Sequence, residues 1–162
     1  MSKAFTRESD EAPKERSAPP LRSLLPPGAK NYLTPDGARR LQNELVALLQ
    51  QRAHTSSPPS LEQRILRLRQ GLESAVVVAP PPPWEQVRFG ATVTVRQANG
   101  EQSQYRIVGV DETDVERGWV SWLSPIARAL LNARPGDRVR FRFPAGEEQL
   151  EIIGVTFAEE AA

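Results

Sequence analysis

Apolar residues fall into two rhythms along the chain, and the switch between them divides it. Ala38, Leu41, Leu45 and Leu48 follow a 3-4-3 spacing, the narrow seam by which one helix zips to another. Just upstream, Thr34 suits a helix N-cap, Pro35 the first helical position, and Leu33 can staple onto Ala38. Leu61, Ile65, Leu68 and Leu72 repeat the seam at 4-3-4 spacing. Ser60 and Gln63, after Pro58 and Pro59, read as a capping box that starts this second helix. Gly71 weakens its last turn by about 1 kcal/mol relative to alanine. Two matched seams joined by about eight residues of turn chemistry predict an antiparallel helical hairpin over 31–75. Its arms span about 20–27 Å. Helices of that length are marginal alone, so each needs the other and a docking domain.

From Val87 the period becomes two. Val87, Phe89, Ala91, Val93 and Val95 alternate with polar residues, and Asn99-Gly100 is a hairpin turn leading into a partner strand, "SQYRIVGV". "WVSWL" predicts a short strand. "SPIARALLNA" predicts a helix capped by Ser124 with Pro125 at its first position. "RPGDRVRFRFPAGEEQLEIIGVTF" predicts two more strands about a turn at Pro144 to Glu147. The fold class is therefore α+β: a short N-terminal antiparallel helical hairpin, then an antiparallel β-sheet domain with one helix over 87–158. Trp119 and Trp122 stand three apart, so alternation puts them on opposite faces.

Composition fills in the flanks. Residues 1–30 hold Pro13, Pro19, Pro20, Pro26 and Pro27 among scattered charges, the signature of a disordered tail. Residues 76–86 form a Pro-rich linker, in which Pro80 to Pro83 predict a stiff polyproline spacer. The 162 residues contain no cysteine. That excludes disulfides, thiolate metal sites and cysteine nucleophiles, and it fits a reducing cytoplasm. No apolar run is long enough to span a membrane, and the N-terminus has no secretory apolar core. Arginine supplies 18 of the 21 basic residues, yet the net charge is only +1, so charge alone gives no nucleic-acid signature.

"NYLTPDGARRLQNEL", "FGATVTV", "YRIVGVDE", "SPIARALL" and "PAGEE" occur in order, and together they closely resemble the bacterial Gre transcript-cleavage factors. The opening "KAFTRESD" resembles the GreB branch. The resemblance implies an FKBP-like C-terminal domain carrying a coiled coil. It also implies a non-enzymatic, monomeric, cytoplasmic partner of RNA polymerase that docks at the rim of the secondary channel and meets nucleic acid only through the transcription complex. In the family, acidic residues at the coiled-coil tip help hold a catalytic magnesium for the polymerase's own hydrolysis of RNA, work that needs carboxylates.

Here the tip departs from the family. No carboxylate lies between Glu44 and Glu62, and the hairpin tip offers Arg52, His54, Thr55, Ser56 and Ser57. By comparison with the family pattern, the longer acidic segment is missing, along with roughly a third or more of the rod. Hydroxyls bind a hard cation poorly. The expectation is a polymerase-binding regulator without cofactor or metal, unable to stimulate cleavage and able to compete with active Gre factors. His54 has no carboxylate partner and reads as a solvated loop residue.

By the same resemblance, the polymerase contacts are Leu123, Ser124 and Pro125, with Asp111, Glu112 and Asp114 of the neighbouring acidic loop. Leu123 stands where GreB-like sequences place an acid. The alternatives are a regulator of another enzyme, such as nucleoside diphosphate kinase, and a prolyl isomerase built on the FKBP-like fold.

Overall fold

A computed structural model describes residues 25–54, 56–80 and 85–157. The expected tail up to residue 24, the prolines Pro81 to Pro83 and Thr55 lie outside these residues. Among the described residues the first element is a short strand, β1 (Asn31–Leu33), followed by helix α1 (Pro35–His54), helix α2 (Pro59–Ser74) and strand β2 (Ala75–Val77). The helices form the expected hairpin. Leu61, Ile65 and Leu68 of α2 are buried, each removal from water being worth about 1.5–3 kcal/mol. Their partners Leu41, Leu45 and Leu48 on α1 stay half-buried among the described residues. Arg64 grips Glu44 through two hydrogen bonds of 2.8 and 2.9 Å across the pair. At 20 and 16 residues, the helices measure about 30 and 24 Å at 1.5 Å per residue.

Three local expectations are corrected. Helix α2 starts at Pro59, with Pro58 as an extended N-cap that makes no side-chain hydrogen bond. The Ser60–Gln63 box does not form, because a proline already occupies the first helical position. Residues 75–77 pair in parallel with β1, and Val78 N–H donates to the Leu33 carbonyl at 2.9 Å. The start of the expected linker is therefore a strand tied to the root of α1. Finally, Val87 to Gly90 do not continue the strand, since Gly90 turns at a φ of +88°. Val87 is instead fully buried and exchanges hydrogen bonds with Asn132 and Ala133.

The second part is a five-stranded sheet ordered β5-β4-β3-β7-β6. Its strands are β3 (Ala91–Arg96), β4 (Gln102–Val108), β5 (Trp119–Ser121), β6 (Arg138–Phe143) and β7 (Gly146–Phe157), and helix α3 (Pro125–Leu130) sits between β5 and β6 in the chain. All pairings are antiparallel except β4–β5. The loop of residues 109–118 carries the chain back before β5 begins, which makes that last pair parallel. Asn99-Gly100 turns the β3–β4 hairpin, with Gly100 at a φ of +87°. Alternation places Ala91, Val93, Val95, Ile107, Leu150 and Ile152 on one face, where Ala127 and Leu130 of α3 close the core. The opposite face is polar.

Candidate functional site

Three places carry the side chains singled out by the sequence: the hairpin tip, the turn before α3, and the loop between β4 and β5. At the tip, Arg52 and His54 belong to the last turn of α1 rather than to the connecting loop, and Ser56 and Ser57 follow before Pro58. Arg52 Nη1 meets Glu62 Oε2 at 3.4 Å. The first carboxylate beyond the tip is thereby turned toward an arginine. Among the described residues no group of three or more His, Asp or Glu is placed to hold a metal ion.

The turn before α3 is held by two side-chain hydrogen bonds. Ser124 caps the helix by accepting the Ala127 N–H at 3.3 Å, and Leu123 N–H donates to Ser121 Oγ at 3.1 Å. These bonds hold Leu123 half-exposed and leave Pro125 exposed. Trp119 and Trp122 fall on opposite faces, as alternation predicts. Trp122 packs against the core and meets Tyr32 of β1 edge-on at 5.0 Å. Trp119 lies on the polar face beneath three guanidinium groups: Arg40 at 4.5 Å, and Arg106 and Arg117 at 5.0 Å each.

The acidic loop proves to be mainly a joint. Glu112 is only 5% exposed, so it cannot serve as a surface contact. Its Oε2 accepts the backbone N–H of Thr34 at 3.0 Å and of Gly109 at 2.9 Å. Its Oε1 accepts the Thr34 hydroxyl and faces Arg40 at 3.8 Å. Thr34 also caps α1, accepting the Gly37 N–H at 3.0 Å, so one carboxylate holds the root of the hairpin against the sheet domain. Asp111 accepts from Asn31 Nδ2 at 3.2 Å, and the same amide reaches the Gly71 carbonyl at 3.0 Å. Asp114 accepts the N–H groups of Glu116 and Arg117 and pairs with the Arg117 side chain at 3.4 Å.

Sequence reasoning missed Asn31, Thr34 and Arg40 as partners of this loop. The available signal was glycine. A Cβ on Gly37 would run into the Glu112 carboxylate, and one on Gly109 into the Tyr32 carbonyl.

Residues 81–157 match the family model described as "Transcription elongation factor, GreA/GreB, C-term". The chain is 35% identical over 154 residues to transcription elongation factor GreB of Neisseria meningitidis serogroup A, covering 79% of this chain and 94% of that one. The chain belongs to the GreA/GreB family.

The chain is also similar to other factors. Transcription elongation factor GreA of Anaeromyxobacter sp. strain K is 43% identical over 102 residues, covering 62% of this chain and 61% of that one. The solved GreA/GreB factor from Nitrosomonas europaea is 26% identical with a TM-score of 0.43, covering 80% of this chain and 99% of that one. In the Neisseria alignment, 79% of 162 residues is about 128, so about 26 of the 154 aligned positions have no counterpart in this Gre-family chain.

Proposed function

We propose that this Gre-family chain docks on RNA polymerase at the secondary-channel rim through its C-terminal domain, without stimulating transcript cleavage. The docking turn is Leu123, Ser124 and Pro125, with Asp111 and Asp114 at its margin; Glu112 is withheld by its internal bonds. Membership of an elongation-factor family supports the partner. The tip carries the second half of the reading. Between Glu44 and Glu62 it presents arginine, histidine and hydroxyls, and Glu62 faces Arg52.

Hydrolysis assisted by a second metal ion needs carboxylates to hold that ion and orient water. Neutral hydroxyls and a guanidinium cannot supply that charge. Because the acidic tip segment of the family pattern has no equivalent between Glu44 and Glu62, the rod is taken as shortened, and it would stop farther from the polymerase centre. A factor that grips the rim and delivers no carboxylate occupies the site of active Gre factors and competes with them.

The test is a pull-down with core polymerase, followed by titration against a bound, labelled, active Gre factor. Retention at micromolar concentration and displacement of the label are expected. Failure to bind would contradict the docking assignment.

A further inference from the structure

The polar face of the sheet carries a feature that docking at a channel rim does not use. On edge strand β6, Arg138, Arg140 and Arg142 alternate with Val139, Phe141 and Phe143, so the three guanidinium groups share one face, about 6.7 Å apart along the strand. Arg140 and Arg142 are 76% and 84% exposed and divide a single carboxylate, Glu147, at 3.7 Å each. The stripe continues inward across the sheet. Arg96 of β3 and Arg138 of β6 flank Glu151 of β7 in register. Arg96, Arg138, Gln149 and Glu151 line one shallow groove of about 310 Å³. Four arginines thus face two glutamates.

Charges on an edge strand commonly guard against strand-to-strand association. That role does not account for Arg96, which lies on an interior strand. A second feature lies on the other face of the same edge strand. Phe143, at the end of β6, is 38% exposed and stacks on Phe141, with ring centres 5.6 Å apart and planes 29° from parallel.

We propose that this stripe and the Phe143 ring form a binding surface for single-stranded nucleic acid. Regularly spaced guanidiniums follow a phosphodiester backbone, and an exposed ring at the strand end offers a base a stacking surface. Because β6 is the outermost strand, a single strand can lie along the arginines and fold a base over the free edge onto Phe143. A duplex, with its bases already stacked, gains only the charge contacts. The contact is direct, in contrast to the indirect one expected from the sequence.

The test is fluorescence anisotropy with the full chain and labelled oligo(dT), oligo(U) and a duplex of equal length, across a salt series. Single strands should bind more tightly than the duplex. R138Q/R140Q/R142Q should weaken binding about tenfold or more at low salt and lower the slope of log affinity against log salt by roughly two. F143A should weaken single strands about fivefold and leave the duplex unchanged. R142E alone provides the same reading, with a smaller loss, if the triple variant folds poorly by circular dichroism.

No binding at low salt, unchanged affinity in the arginine variants, or a duplex bound as tightly as single strands would overturn the proposal. Displacement of oligo(dT) by polyglutamate as readily as by unlabelled oligo(dT) would overturn it too, since the surface would then select charge alone.

Discussion

The backbone N–H of Thr34 donates to the carboxylate of Glu112 at 3.0 Å, across 78 residues of chain. Through this contact the first turn of the hairpin is fixed to the sheet domain. The same carboxylate takes the Thr34 hydroxyl and the Gly109 N–H, so losing it strands several buried donors at once. Glu112→Ala should therefore destabilise the protein by about 2–4 kcal/mol, within the range for unpairing buried polar groups. Glu112→Gln keeps one carbonyl oxygen for the two backbone donors and should cost clearly less. Urea unfolding of the two variants checks the order. Equal stabilities would show that the joint contributes little.

Gly37 gives a sharper test because the ordinary expectation has the opposite sign. Glycine to alanine in a helix normally stabilises by about 1 kcal/mol. Here the new methyl group would enter the space of the Glu112 carboxylate. Gly37→Ala should lower stability by about 1–3 kcal/mol, as overpacking does, and a thermal melt will show it as a reduced Tm. In Glu112→Ala, where that space is vacated, the same change should be tolerated or favourable.

The hairpin seam depends on few residues, and Ile65, 2% exposed, lies at its middle. Ile65→Ala should cost about 2–5 kcal/mol. Much of that loss should appear as melting of the rod, since the sheet has its own core. Hydrogen exchange should show faster amides in α1 and α2 with little change in β3 and β7.

These features differ in how far the sequence displayed them. Leu61, Ile65 and Leu68, and Val93, Val95 and Ile107, were legible because helix and strand periods are local patterns that burial follows. Glu112 was not. An acidic run reads as a solvated loop, and its true partner, Thr34, lies far away in sequence. The pairing of β1 with β2 escaped for the same reason, since each strand has three residues and its ladder depends on the hairpin bringing 31–33 beside 75–77. The false start at Val87 came from extending a genuine alternation through Gly90, whose positive φ ends it. At the candidate site, Ser124 and Pro125 were visible as a helix start, while the use of Asp111 and Asp114 in holding local structure was not.

Leu123 is half-exposed beside the capped turn, within the segment proposed to meet the polymerase. If this turn meets the polymerase rim, Leu123→Asp should tighten binding by roughly tenfold, the scale of one added charge-assisted hydrogen bond. Biolayer interferometry with immobilised core polymerase reads this directly. No change would move the contact away from the turn.

Adding carboxylates at the tip separates chemistry from reach. S56D/S57E supplies acid without lengthening the rod, so it should leave a backtracked complex uncleaved. Extending the hairpin together with an acidic tip should be needed for activity, and cleavage by the short acidic variant would show that reach is not limiting.

The most direct measurement is RNA cleavage in a stalled, backtracked polymerase complex, with this protein alone and in competition with an active Gre factor. The protein alone should give no stimulation, and it should inhibit the active factor in a dose-dependent way. Stimulated cleavage by the unmodified chain would show that its tip can supply what the reaction needs.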